Sequence, residues 1–200
     1  MRLTEQMDVN GFAEFAFRDA QADGPAAVVD VRPASLRDVA AILSIEQQSR
    51  RSQPSPAALD AAMKDPDRHV VVASVEGEIV GWAKTHFWDY DDRPAPLGHY
   101  LGGVTVLPGW RRRGVGAALT AARLPWIWAR AADAWYVVNA RNLASIELHR
   151  PWNFTEVARG PKFHTTTFTG GVGLLMRAAA SVSGGGCGSP TGPVQQTADG

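Results

Sequence analysis

A single cysteine, Cys187, stands among the 200 residues, so no intrachain disulfide framework can form. It lies in Ser183-Gly-Gly-Gly-Cys-Gly-Ser-Pro190, a flexible composition with no neighbour that would lower a thiol pKa, which marks a bystander thiol. Such sparing use of cysteine points to a reducing, cytoplasmic setting. Long apolar runs are missing too, and Met1-Arg-Leu-Thr-Glu-Gln-Met-Asp8 has no signal-peptide core, so a soluble protein without a membrane partner is expected. Nor is there an excess of charge: 20 Lys and Arg balance 20 Asp and Glu, and nothing global argues for nucleic acid. His69, His86 and His164 lack metal-ligand spacing, and no metal is expected.

What is present suits one globular domain. Hydrophobic residues make up 45% of the chain, enough for a core of its own, and the length leaves no room for a second full domain. Residues 1–27 read as an N-terminal extension, with Phe12, Phe15 and Phe17 among charges before the turn-prone Asp23-Gly-Pro25. Residues 28–179 read as the domain. Residues 180–200, rich in Gly, Ser, Pro and Gln, read as a tail that buries too little surface to stay ordered.

Within the domain, Val28 to Pro33 alternates as a first strand. Ser35 with Asp38 forms a capping box ahead of a helix whose Val39, Ile42, Leu43 and Ile45 share a face, and Ser55-Pro56 opens a second helix. Arg68–Val75 and Glu78–Thr85 make a hairpin turned at Glu76-Gly77, followed by a loop over 86–96. The next strand starts near Gly98, and its Gly102-Gly103 pair signals a bulge or the close approach of a ligand. A helix from Gly114 runs toward Ala132, and Pro125 should kink or end it. A strand over 134–140, a helix over Asn142–Arg150 and two strands, 155–158 and 165–177 with Gly170-Gly171 interrupting, complete the pattern.

The stretch with chemical content is Val104-Thr-Val-Leu-Pro-Gly-Trp-Arg-Arg-Arg-Gly-Val-Gly-Ala-Ala-Leu119, which reads as strand, turn and helix start. Free N–H groups and the positive dipole end of a helix suit a phosphate, and Gly114 and Gly116 let backbone approach an anion without a Cβ in the way. Arg111-x-x-Gly114-x-Gly116 after a strand resembles the acetyl-coenzyme A pyrophosphate loop of the GNAT superfamily of N-acetyltransferases. The likeness extends to Asn139-Ala-Arg-Asn142 and to Leu148-His-Arg-Pro-Trp-Asn-Phe154, where that family has an Asn, a short helix ending in Leu-Tyr, and Gly-Phe. The order of elements over about 28–178 agrees as well. The resemblance implies an α/β (α+β) fold in which helices flank a mixed, mostly antiparallel sheet.

It also implies an acetyl-CoA-dependent N-acetyltransferase acting on a primary amine of a small molecule or peptide. The loop amides of Arg112, Arg113, Gly114, Val115, Gly116 and Ala117 would hold the pyrophosphate, with Arg111 bracing the loop or meeting the phosphates. Val104 and Val106, on the family's splayed fourth strand, would face the acetyl carbonyl and pantetheine, and Asn142 would contact the coenzyme while capping its helix. His99 and Tyr100 occupy the strand that in the family carries a base, and His99 is preferred because imidazole titrates near neutrality; an ordinary strand histidine is the alternative. His149 replaces the tyrosine that protonates the leaving thiolate, which leaves either His149 as donor or no dedicated acid. Asn153 replaces the glycine before Phe154 and tolerates left-handed backbone.

For the acceptor, Trp88, Asp89 and Asp91 belong to an aromatic and acidic rim that would suit a cationic amine. Trp126, Trp128, Trp135 and Trp152 serve the core or a homodimer contact. A noncatalytic acyl-CoA sensor or scaffold on the same fold is the competing function. A dinucleotide site is disfavoured because Gly114-x-Gly116 runs on to Leu119 and not to a third small residue.

Overall fold

The computed structural model describes residues 25–168 and 171–180. The expected extension with its phenylalanines, Gly170 and the tail with Cys187 lie outside the described residues, apart from residues 25–27 of the extension and Ala180.

The chain runs β1 (Asp30–Pro33), α1 (Val39–Gln48), α2 (Pro56–Lys64), β2 (Val70–Val75), β3 (Glu78–Trp88), β4 (Gly98–Val106), α3 (Val115–Trp128), β5 (Asp133–Asn139), α4 (Leu143–His149), β6 (Thr155–Gly160), β7 (Lys162–Phe163), β8 (Thr166–Thr167) and β9 (Gly173–Ala179). Ahead of α1 a single 3-10 turn, Leu36–Asp38, carries the expected box: the Ser35 amide donates to Asp38 Oδ2 at 2.7 Å. Arg32 adds a two-pronged pair to the same carboxylate, at 2.8 and 2.7 Å, and together these hold its pKa far below the ordinary range. Ser55 caps α2 by accepting from the Ala58 amide at 3.1 Å. Glu76 and Gly77 both take positive φ, 51° and 85°, as a two-residue hairpin turn requires.

Seven strands form one sheet in the order β1-β2-β3-β4-β5-β9-β6, with β4–β5 its one parallel pair. Three expectations change. β3 continues through Trp88, because His86, Phe87 and Trp88 pair with Tyr100, His99 and Gly98, so the loop is shorter than the aspartates and prolines suggested. α3 passes Pro125 and ends at Trp128; so near the terminus the missing N–H forfeits one bond, while Leu124 and Ile127 go on packing in the core. The last β-branched run is two pieces: β7 and β8 make a small hairpin, and β9 then pairs with both β5 and β6.

Alternation along the strands divides the core between two faces. Ile42, Ile45, Leu59 and Ala62 of α1 and α2 pack on Val70, Val72 and Trp82. On the other face Val115 and Leu119 of α3 meet Val71, Ala73 and Ala83, and farther along Leu124 and Ile127 meet Tyr136 and Val138. Trp126, Trp128 and Trp152 pack against that cluster and Trp135 stacks on Tyr100, so each of these tryptophans has a place within its own chain. Among the described residues no helix is long and apolar enough to cross a membrane.

Candidate active site

The site starts with a defect in the sheet. β4 and β5 pair at one position, Tyr100 with Trp135, and beyond it they diverge. The Leu107 amide donates to Val80 O, so by strand alternation the amides of Val104 and Val106 point away from β3, into the gap that β5 has left. One residue of β3, Lys84, faces two of β4, Gly102 and Gly103, which is the bulge expected from the glycine pair. A Cβ on Gly102 would lie 2.9 Å from both Lys84 O and His86 Cδ2, so a side chain there has no room.

Arg123 locks this bulge. It is 0% exposed, and its guanidinium donates to Lys84 O at 2.7 Å, Gly102 O at 3.2 Å, Leu119 O at 3.1 Å and Thr120 Oγ1 at 3.3 Å. Burial pushes its pKa down to about 9, which still leaves it charged at neutral pH. Sequence reasoning missed Arg123, although an arginine on the face shared with Leu119 and Ile127 was a signal.

At the mouth of the gap stands the start of α3. Its N-cap Gly114 is left-handed, φ 89°, and Arg112 two residues before it has φ 64°. No side chain caps this helix, whereas α2 and α4 carry Ser55 and Asn142 caps. The first helical bond runs from the Ala118 amide to Gly114 O, which leaves the amides of Val115, Gly116 and Ala117 without an intrahelical acceptor. A Cβ on Gly116 would come 3.2 Å from Leu148 and 3.9 Å from Val104, so glycine keeps the throat between α3, α4 and β4 open. Arg111 Nε donates to Val106 O at 3.3 Å, bracing the loop, and Arg113 covers Trp110. These open amides and the unpaired stretch of β4 fit a diphosphate followed by a narrow arm.

On the far side of the sheet the gap meets a cavity of about 300 Å³. Gly103 and Thr105 of β4 and Val137 of β5 line it beside the gap, and Trp82, Lys84, His86 and Trp88 form its β3 wall. Glu46 of α1, buried, accepts from Trp82 Nε1 and Thr105 Oγ1, both at 2.7 Å, and faces Arg51 Nε at 3.5 Å. His86 is neutral at pH 7, because burial and then Lys84, Arg68 and Arg123 push its pKa down to about 3.

The expected catalytic side chains are scattered. His99 pairs with Phe87 and packs on Phe87 and Trp126, at 4.7 and 5.3 Å, on the α3 face, across the sheet from the cavity, where it does not reach an acceptor bound there as the expected base would. Tyr100 does line the cavity, but its hydroxyl donates to Pro96 O at 2.7 Å, with His164 Nε2 at 3.3 Å, and burial raises its pKa. Trp88 lines the cavity, stacked on His164 at 4.7 Å. Asp89 and Asp91 are exposed and outside the lining, and Asp91 Oδ1 instead accepts from the Leu97 amide at 2.8 Å. Asn142 caps α4, accepting from the Ser145 amide at 3.1 Å, and Asn153 is left-handed at φ 55°.

His149 is 3% exposed and stacks on Tyr136 at 4.5 Å. Its Nδ1 lies 2.8 Å from Ser145 O, and a carbonyl only accepts, so Nδ1 carries the hydrogen and the unpartnered Nε2 carries none. Burial pushes its pKa down to about 4, so at neutral pH the ring has no spare proton, and the general-acid option gives way to no dedicated acid. The depressed pKa has a consequence for stability. Above 6.5 both states are neutral; as pH falls toward about 4 only the unfolded chain takes up the proton, so stability drops across that window. The loss expected from this one group is about 3 kcal/mol. His149→Phe should flatten that limb of a denaturation-against-pH curve and keep kcat at neutral pH within a few-fold; a tenfold loss of kcat would restore the acid.

Residues 36–154 match the model of the Acetyltransferase (GNAT) family, more than half of the chain. The chain belongs to the GNAT acetyltransferase family. The solved structures it resembles share the GNAT fold. The ribosomal-protein-S18-alanine N-acetyltransferase from Escherichia coli aligns at 21% identity with TM-score 0.61, over 80% of this chain and 98% of that one. The ribosomal-protein-alanine N-acetyltransferase from Brucella melitensis aligns at 23% with TM-score 0.59, over 76% and 99%. A GNAT phosphinothricin acetyltransferase from Sinorhizobium meliloti, solved in complex with AcCoA, aligns at 22% with TM-score 0.60, over 76% and 88%. No curated relative matches the chain in sequence.

Proposed function

We propose that this GNAT protein transfers an acetyl group from acetyl-CoA to a primary amine of a small molecule or peptide, directly and without an acyl-enzyme. The observation that carries the reading is the uncapped α3 start at one end of the β4–β5 gap with a cavity at the other. The amides of Val115, Gly116 and Ala117 hold the diphosphate, and Arg111 keeps the loop in shape. The Val104 amide, turned into the gap, donates to the thioester oxygen and stabilises the oxyanion that forms when the amine nitrogen attacks the carbonyl carbon.

An alkyl ammonium has a pKa of about 10 and must lose a proton before it attacks. The ammonium loses this proton to cavity water, and neutral His86, on the cavity wall and against the bulge, accepts a hydrogen bond from the amine and orients its nitrogen toward the gap. As the carbon–sulfur bond breaks, the nitrogen, cationic once bonded to carbon, sheds its second proton to water and the departing thiolate takes one from solvent; with a thiol pKa of about 8.5 it needs no dedicated donor. Free-thiol release from acetyl-CoA across a panel of amines tests the reading. Release that requires an amine, falling at least tenfold in His86→Phe, is expected. Tight binding of acetyl-CoA without thiol release from any amine would favour the second reading, a noncatalytic acyl-CoA sensor, which the missing donor proton on His149 keeps in view.

A further inference from the structure

Resting on that reading, we propose that the acceptor is an amine bearing a carboxylate within a few bonds of its nitrogen, and that Lys84 is the residue that binds the carboxylate. The cavity is lined by two cations, Arg51 and Lys84, and by one carboxylate, Glu46. That carboxylate is already engaged: Oε1 takes hydrogen bonds from Trp82 and Thr105, and Oε2 faces Arg51. His86 adds no charge. A bare cationic amine would therefore enter a wall of like charge with no oxygen anion left to receive it, while Asp89 and Asp91, which promised otherwise, stand outside.

Lys84 has no salt-bridge partner among the described residues: its ammonium lies 5.9 Å from the centre of the Trp82 ring, Arg68 and Arg51 act against its charge, and Glu46, the carboxylate that favours it from a distance, is already engaged by Trp82 and Thr105. The Lys84 backbone is fixed by the Arg123 bond to its carbonyl, directly opposite the Gly102–Gly103 bulge. An anion held at Lys84 thus leaves the other end of a short molecule beside Gly103, where the cavity meets the gap. The half-buried ammonium, disfavoured by desolvation and by its like-charged neighbours, gains most from an anion brought by the ligand.

The experiment pairs each amine with its neutralised twin: alanine and alaninamide, β-alanine and β-alaninamide, phenylalanine and phenylalaninamide. Thiol release and calorimetric binding of the N-acetylated acids and amides are both read, in wild type, Lys84→Gln and Lys84→Arg. Acids should exceed amides by about tenfold to a hundredfold in kcat/KM. That preference should collapse in Lys84→Gln, persist largely in Lys84→Arg, and leave the KM for acetyl-CoA unchanged. Amides that serve as well as acids in the wild type overturn the proposal even if Lys84→Gln fails to fold. A raised acetyl-CoA KM in Lys84→Gln with the acid preference intact gives the charge to the coenzyme's phosphates and overturns it as well. No thiol release, with Lys84-dependent binding of the N-acetyl acids, sinks the transfer reading and sustains the carboxylate site; release indifferent to Lys84 does the reverse.

Discussion

Arg123→Met should lower folding stability by about 3 kcal/mol or more and cut kcat for acetyl transfer severalfold. Methionine fills much of the volume but donates nothing, so Lys84 O and Gly102 O are stranded in a dry core, each at a cost of about 1–3 kcal/mol. Removing a buried, unpaired charge offsets part of this, which holds the expectation near the lower end. The kinetic effect is separate from the thermodynamic one: a bulge without its clamp no longer fixes where the Val104 amide points. Urea unfolding at pH 7, with kcat and KM taken well below the transition, checks both. Unchanged stability together with unchanged kcat would mean that the bulge holds itself.

Ala117→Pro should weaken acetyl-CoA binding by about tenfold to a hundredfold while altering stability by less than about 1 kcal/mol. Position 117 is exposed in the first turn of α3, where the amide has no intrahelical partner and proline forfeits no bond of the helix. The substitution deletes one donor to the diphosphate and little else. Ala117→Ser, which keeps the amide, is the control and should bind as wild type does. An Ala117→Pro variant with full affinity would show that the amides at this helix start are bystanders.

Local sequence signals were legible wherever chemistry is local. Ser35 with Asp38, Ser55-Pro56, Gly77 and the Gly102-Gly103 bulge all take the conformations their residue types favour, whereas Glu76 is left-handed because the tight turn requires it. The loop over Arg111 to Gly116 was legible for the same reason, since the glycines and the missing cap are features of backbone alone. The face of a strand was harder. Extending β3 to Trp88 fixes its register with β4, and that register sends His99 to the α3 face and Tyr100 to the cavity. Adjacent residues of a strand take opposite faces, so His99 and Tyr100 do not share one site.

The protonation of His149 was illegible for a different reason. A histidine in the tyrosine's place reads as an acid until burial and the Ser145 carbonyl fix its tautomer. Arg123 reaches Lys84 O across 39 residues, Glu46 meets Thr105 and Trp82 across 59 and 36, and the role of Lys84 rests on its having no salt bridge among the described residues, none of which a local pattern carries. Tertiary packing, not motif, decides what those side chains do.

Titration calorimetry of acetyl-CoA against S-acetylpantetheine, which shares the thioester and arm but has no diphosphate, bears most directly on the claim that the α3 amides hold the donor. Saturable binding of acetyl-CoA is expected, with the truncated thioester weaker by at least about a hundredfold. Equal affinities, or no uptake of acetyl-CoA at all, would contradict the account.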